Sequence, residues 1–224
     1  MSSTGNDIVA LGKIDKDRTG QFRFYSKILS VSEQAIFHQL RSAEMPFEHF
    51  VWLLWSVKEA AYKYLKRSIP DLIFSPTKTV IQQVMIPAGE GIKKRKNIDW
   101  DHNGMDEALY RGQVVYGTCI LYFRAKYNED WIATVVNDDA DFDNVCWGTR
   151  FIKDCSYEQQ SGSARALLLN KLKTYLPDDY RVDKSPVGYP VIMNATLNMN
   201  IPVSLAHDDH FVAYSFKLYA ADNN

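Results

Sequence analysis

The segment from Pro46 to Arg67 constrains the fold more than any other stretch of the chain. Apolar residues recur along it every three or four positions, which is the spacing of one buried stripe on an α-helix. The stripe consists of Phe50, Leu54, Val57 and Ala61. Because proline suits the first turn of a helix, we predict one long helix that begins at Pro46 and ends near Arg67.

The same segment places Glu59 and Lys63 four residues apart on another face of the helix. Such a pair ordinarily lies on a solvated face, where it stabilises a helix by about 0.2–0.5 kcal/mol. Here Trp52, Trp55 and Tyr62 surround the helix and leave little of its circumference obviously exposed. A charged pair in apolar company needs a further partner, such as a metal ion or a phosphate.

The elements around this helix indicate a mixture of helices and strands in the first part of the chain. "NDIVALG" at the N-terminus is a short β-branched run that predicts a buried strand with Asp7 at its start. In "SVSEQAIFHQLR", Ser30 and Glu33 have the spacing of a helix capping box. From about Leu72 to Val136 the chain is rich in branched and aromatic residues, which predicts strands.

An acidic stretch, "NDDADFDN", separates this part from a second one. We therefore predict a first half over residues 1–139 and a second half over residues 140–224. The second half contains a strand in "VCWGTRFI", a helix in "SARALLLNKLKTYL" and a hairpin in "VSLAHDDHFVAYSFKLY". The predicted fold class is α+β.

Composition excludes several classes of function. A net charge of -1 argues against a protein that mainly neutralises nucleic-acid phosphates. No apolar run approaches the length of a membrane span, so we expect no membrane partner. Cys119, Cys146 and Cys155 fit neither a disulfide framework nor a zinc site by their spacing, and we interpret them as reduced thiols of a cytoplasmic protein.

Three short motifs stand out, namely "GNDIVAL" from Gly5, "WSVKEAAYK" from Trp55 and "VSLAHDDHFVAYSF" from Val203. Together they resemble the signature of the 4'-phosphopantetheinyl transferases, which reads G-x-D-I, then W-x-x-K-E-A-x-x-K, then S-x-S-H before a strand. This order is that of the short holo-acyl-carrier-protein synthases. The length is closer to that of the surfactin-synthetase-activating type, so the chain resembles a double-length enzyme with its motif order exchanged.

The resemblance implies transfer of phosphopantetheine from coenzyme A to a serine of an acyl carrier protein or peptidyl carrier domain, with Mg²⁺ and release of 3',5'-ADP. It implies that Asp7 and Glu59 bind Mg²⁺, and oxygen ligands are those that this ion prefers. It also implies that Lys63 holds the pyrophosphate, that Glu59 accepts the serine proton, and that Ser204 and His207 contact coenzyme A.

Several residues keep an alternative interpretation. Taken alone, Asp7 is a strand-edge cap and His207 a locally paired hairpin residue. Lys58 either contacts a coenzyme A phosphate or covers the helix surface, and "KKRK" at 93–96 either guides the carrier or belongs to a solvated loop.

The sequence also departs from the family pattern. Val9 stands where the surfactin-type enzymes have a second acid, Tyr189 replaces the lysine of a G-K-P element, and Ala206 replaces a serine.

We expect an intrachain pseudodimer of two similar α+β halves that is active as a monomer, with the coenzyme between the halves. The alternative is a non-catalytic module of the same fold that binds coenzyme A or a carrier protein. Joint retention of Asp7, Glu59 and Lys63 favours the enzyme, because a binding module does not need all three.

Overall fold

A computed structural model describes residues 3–39, 45–87, 99–101 and 108–218 of the chain. It is an α+β protein, as predicted. The helices are α1 (Lys16–Thr19), α2 (Phe22–Tyr25), α3 (Val31–Gln39), α4 (Phe47–Lys66) and α5 (Tyr157–Leu172), with 3₁₀ turns at Leu11–Lys13 and Pro76–Lys78. The strands are β1 (Thr4–Ala10), β2 (Thr79–Met85), β3 (Trp100–Asp101), β4 (Tyr110–Tyr116), β5 (Cys119–Tyr127), β6 (Trp131–Asn137), β7 (Val145–Phe151), β8 (Arg181–Lys184), β9 (Pro190–Asn194), β10 (Leu197–Asn198), β11 (Val203–Asp208) and β12 (Phe211–Lys217).

The first sheet is antiparallel and has the order β1-β6-β5-β4-β2. Helix α4 packs across β1 and β6. The predicted stripe of α4 is buried in full, because Phe50, Leu54, Val57 and Ala61 belong to the core between helix and sheet. The sheet and this helix form the body that positions Asp7, Glu59 and Lys63.

The second sheet has the order β11-β12-β7-β3, and α5 packs on β12 and β11. Its strand β3 comes from before the predicted boundary, yet Trp100 and Asp101 pair with Thr149 and Gly148 of β7. A small third sheet, β10-β9-β8, lies beside α5 and β11. The division at residues 139 and 140 stays a prediction.

The two larger sheets meet along their edge strands, β1 and β11. Edge strands have unpaired backbone groups that need partners. The backbone N–H of Asn6 donates to Ser204 Oγ at 3.1 Å, and that of Ala10 donates to Asp208 Oδ2 at 2.8 Å. Side chains of β11 therefore accept hydrogen bonds from two backbone N–H groups of β1, the edge strand of the first sheet.

Local sequence signals for helices and hairpins are confirmed. The backbone N–H of Ser30 donates to Glu33 Oε2 at 2.7 Å, and the N–H of Glu33 donates to Ser30 Oγ at 3.3 Å, which is the predicted capping box. The β11–β12 hairpin turns at Asp209, whose φ is +50°. Helix α5 begins at Tyr157, earlier than the apolar pattern predicts. The "KKRK" segment lies outside the described residues.

Among the described helices, none has both the length and the apolar character needed to cross a bilayer.

Candidate active site

The first two motifs meet where β1 passes over α4. Gly5 makes this possible, because a Cβ atom at this position would lie 2.0 Å from the carbonyl oxygen of Ala60. The close approach brings Asp7 to Lys63, whose Nζ donates to Asp7 Oδ1 at 3.0 Å. The same ammonium lies 3.6 Å from Glu59 Oε1, one turn earlier on the helix. One lysine thus lies between two carboxylates.

Burial has the largest effect on the pKa values of Asp7 and Lys63. Asp7 is 5% exposed, and burial raises its pKa to about 7, with the Glu59 carboxylate adding to the rise and Lys63 opposing it. Burial acts to lower the pKa of Lys63, but the Asp7 and Glu59 carboxylates raise it above its usual value. Lys63 is therefore a permanent cation next to an acid that titrates near neutrality.

The donor set fits a hard cation. Asp7 Oδ2 is buried and has no hydrogen-bond partner among the described residues, while the nearby Ser56 hydroxyl donates to Thr134. An unsatisfied buried carboxylate oxygen is costly unless a cation or a water binds it. Together with Glu59, whose side chain is 31% exposed, it offers oxygen ligands of the kind that Mg²⁺ takes.

A cavity of about 840 Å³ opens beside these acids and is within the size range of small-molecule sites. Asp7 of β1 and Glu59 of α4 line it on one side, and His207 and Asp208 line it from β11. Residues of the first and third motifs thus share one cavity although they are 200 positions apart in the chain (207 − 7).

His207 presents a neutral imidazole to this cavity. Its ring makes an edge-to-face contact with Tyr157 at 5.7 Å between centroids. Burial, and then the nearby Lys63 ammonium, lower the pKa of His207, while Asp208 opposes the change. Near pH 7 the ring therefore has one N–H that can donate to an anion.

Part of the cavity wall was not predicted from the sequence. Aromatic and basic side chains complete it: Phe24, Trp52, Trp55, Phe74, Lys13, Arg18 and Lys27. Trp52 is fixed by a hydrogen bond from Nε1 to Thr19 Oγ1 at 3.1 Å, and the Arg18 guanidinium lies 5.1 Å from the centre of the Phe24 ring. The basic residues lie on short helices and turns, which have no hydrophobic periodicity that would predict their position. For Lys13 and Arg18, the available signal was the high density of charged residues in "KIDKDRTG".

Lys58 does not line the cavity. Its side chain is fully buried and its Nζ donates to Glu33 Oε2 at 2.7 Å, Ile28 O at 2.6 Å and Pro76 O at 3.0 Å. Burial lowers the pKa of Lys58, and the Glu33 carboxylate opposes this. The ammonium has no donor left for a coenzyme phosphate, so the structure gives Lys58 a positioning role instead. Because Ile28 and Pro76 both line the cavity, Lys58 fixes two segments of its wall.

Ser204 is also buried and does not line the cavity. Its hydroxyl oxygen accepts the Asn6 N–H described above, which places it at the junction of the two sheets. Ser204 thus contacts β1, the strand that contains Asp7, and its contact with coenzyme A stays a prediction.

Tyr189 stands at the position of the family's lysine, and its ring packs against the guanidinium of Arg67, the residue that follows α4. The Arg67 guanidinium is 4.6 Å from the centre of its ring and donates to the carbonyl oxygens of Pro190 and Val203. The positive charge at this segment therefore comes from the C-terminal end of α4.

A family model described as the 4'-phosphopantetheinyl transferase superfamily matches residues 3–111. The match covers β1 with Asp7 and α4 with Glu59 and Lys63. No curated protein and no solved structure matches the chain significantly.

Proposed function

We propose that the protein transfers phosphopantetheine from coenzyme A to a serine of a carrier protein, because residues 3–111 match the model of the 4'-phosphopantetheinyl transferase superfamily. The observation that supports this most directly is the shared cavity, where Asp7 and Glu59 meet His207 of β11. In the reaction the serine oxygen bonds to the phosphorus of the phosphopantetheine phosphate, the pyrophosphate bond breaks, and 3',5'-ADP leaves.

Asp7 and Glu59 are the proposed Mg²⁺ ligands. The unsatisfied Oδ2 of Asp7 supports this role, and since Val9 provides no third acid, a bound ion would take its further oxygen ligands from water and substrate. When bound, the ion neutralises charge on the phosphate oxygens.

Lys63 and Glu59 are the proposed catalytic residues. Lys63 directs its ammonium toward the phosphates and stabilises the charge of the departing 3',5'-ADP. Glu59 accepts the proton of the serine, directly or through a water, and assistance of this kind is worth about 10² to 10⁴ in rate. Glu59 suits this role because it is more exposed than Asp7 and lies on the cavity wall.

His207 is the proposed donor to a coenzyme A phosphate, and Lys13, Arg18 and Lys27 add positive charge to the same cavity. Phe24, Trp52 and Trp55 offer flat apolar surface to the rest of the ligand. This combination of cations and rings suits a molecule with both phosphates and an adenine.

We further propose that the chain is an intrachain pseudodimer, active as a monomer in the cytoplasm. Each half packs one long helix, α4 or α5, on an antiparallel sheet. The cavity takes residues from both halves, so no second chain is needed to complete it.

The test is to incubate the protein with coenzyme A, Mg²⁺ and a panel of apo acyl and peptidyl carriers, and then to weigh the carriers by mass spectrometry. The expected result is a mass gain equal to one phosphopantetheine group. Glu59→Gln should bind coenzyme A normally but turn over about 10²-fold or more slowly.

Glu48→Gln is the matched control, because it makes the same change on the same helix about 16 Å from Glu59 along the axis. It should keep full activity. Coenzyme binding without Mg²⁺ dependence and without transfer to any carrier would instead support the non-catalytic binding module.

A further inference from the structure

A second group of potential metal ligands lies at the end of the β11–β12 hairpin. Cys155, Asp209 and His210 place a thiol sulfur, a carboxylate oxygen and an imidazole nitrogen within 4.8 Å of one another. None of the three is assigned to the reaction above. Cys155 is exposed and not in a disulfide.

The His210 ring is held with one nitrogen available. Its Nδ1 lies 3.0 Å from the carbonyl oxygen of Ile152, which can only accept, so Nδ1 must be the donor. The neutral ring then has its lone pair on Nε2, which lies 3.9 Å from Asp209 Oδ1. Stacking on Phe151, at 5.4 Å between centroids and 22° between planes, further fixes the ring. A histidine that donates its other N–H to a carbonyl is the usual arrangement around a bound metal.

Asp209 is held equally well. Its φ of +50° closes the hairpin turn, and its carbonyl oxygen accepts a hydrogen bond from Gln160 Nε2 at 2.7 Å. Its carboxylate is 17% exposed and binds a cation already, since Lys13 Nζ lies 2.6 Å from Oδ1. The Lys13 side chain is 61% exposed and can move into solvent.

We propose that Cys155, Asp209 and His210 form a site for a borderline divalent transition metal such as Zn²⁺ or Co²⁺. A set of one sulfur, one nitrogen and one oxygen favours these ions over Mg²⁺, which requires oxygen ligands. Bonds of about 2.0–2.3 Å bring tetrahedral ligands to roughly 3.3–3.8 Å from one another. The exposed Cys155 side chain therefore has to approach by only about 1 Å, and water takes the fourth position.

Metal binding here displaces Lys13 from Asp209. Lys13 also lines the 840 Å³ cavity, so occupancy of this site changes the position of a cation on the cavity wall. The two cations compete for one carboxylate, and removal of the Lys13 charge should strengthen metal binding.

The test is a Co²⁺ titration of the full chain in excess Mg²⁺, which saturates the carboxylate site of Asp7 and Glu59. The thiolate-to-cobalt charge-transfer band reports a sulfur ligand, and Zn²⁺ should abolish it by competition. Cys155→Ser should remove the band, and His210→Gln should weaken Co²⁺ binding more than about tenfold. Lys13→Met should tighten it, and Cys119→Ser should leave it unchanged.

Thermal melts of the metal-free variants establish that each is folded. A charge-transfer band that survives both Cys155→Ser and His210→Gln would overturn the proposal, and so would the absence of any band. If Cys155→Ser removes the band but His210→Gln leaves Co²⁺ binding unchanged, the proposal is also overturned, because a single surface thiol would then account for the signal. None of these outcomes depends on phosphopantetheine transfer.

Discussion

Two lysines five positions apart on α4 have different surroundings. Lys63 contacts Asp7 and Glu59, the two carboxylates that line the cavity, whereas Lys58 is enclosed in the core. Lys58 is four residues from Leu54 and three from Ala61, so it lies on the same side of the helix as the buried stripe, although the sequence pattern left its role open between a phosphate contact and the helix surface. What the sequence could not predict is the partner, since Glu33 is 25 residues away and its position depends on tertiary packing.

Replacement of Lys58 by methionine should destabilise the protein strongly. Glu33 Oε2 would lose its ammonium partner while the carboxylate stays buried, which typically costs about 3–5 kcal/mol. Urea unfolding measures the change. Lys66→Met is the control, because Lys66 bonds a single carbonyl, that of Leu72, and should cost less than about 1.5 kcal/mol. Combining Lys58→Met with Glu33→Gln should recover part of the loss, and an additive double variant would contradict the pairing.

The raised pKa of Asp7 predicts how the stability of the protein depends on pH. This pKa is about 7 in the folded protein against 3.8 as the reference for the unfolded chain. As pH rises from about 4 to 7, the unfolded state loses the proton first, so this group lowers the stability of the native state. The metal-free Asp7→Asn variant lacks the effect. Its melting temperature should exceed that of the wild type by a margin that grows between pH 4 and 7 and then levels off; a constant margin would contradict the raised pKa.

At the scale of elements, the site depends on how closely β1 crosses α4. Gly5→Ala should separate them, because the added Cβ would meet backbone at Ala60 O and Tyr64 N. We expect a loss of more than about 2 kcal/mol in the free energy of unfolding, together with loss of activity.

Gly162→Ala is the matched change on α5. Beyond the backbone of its own helix turns and its chain neighbours, no heavy atom lies within 4 Å of the added Cβ, so the change should stabilise the protein by about 0.5–1 kcal/mol. Chemical denaturation of both variants measures the contrast, and similar effects at the two sites would show that the close approach is not limiting.

Elements with local signals were predictable and elements that depend on distant partners were not. The Ser30 cap, Pro46 at the start of α4 and the turn at Asp209 are encoded in a few neighbouring residues. Strand β3 depends on a distant partner, because Trp100 packs edge to face on Trp147 with 4.5 Å between ring centroids. Strands β8–β10 form a sheet of short strands whose sequences have little periodicity. The motifs predicted Asp7, Glu59 and His207, which line the cavity, and Lys63, which contacts both carboxylates. The positions of Ser204 and Lys58 depend on tertiary contacts that the sequence does not show.

At the scale of the whole molecule, residues of β1, α4 and β11 line one cavity within one chain. Activity per chain should therefore be independent of protein concentration, and sedimentation should give the mass of one chain, 25.7 kDa. A loss of specific activity on dilution, together with dissociation of a larger species, would contradict the proposed monomer.

The junction between β1 and the second sheet also has a consequence for folding. β1 pairs with β6, and Thr4 Oγ1 donates to Ser215 Oγ at 3.1 Å across 211 positions of sequence. During synthesis β1 is made before the other described strands, but its surroundings are complete only after β12 has left the ribosome. Contacts of such large sequence separation slow folding, because loop closure must come before the contacts that reward it. Of the described strands, β1, which contains the proposed magnesium ligand Asp7, is thus made before the others and is among the last to be fully enclosed.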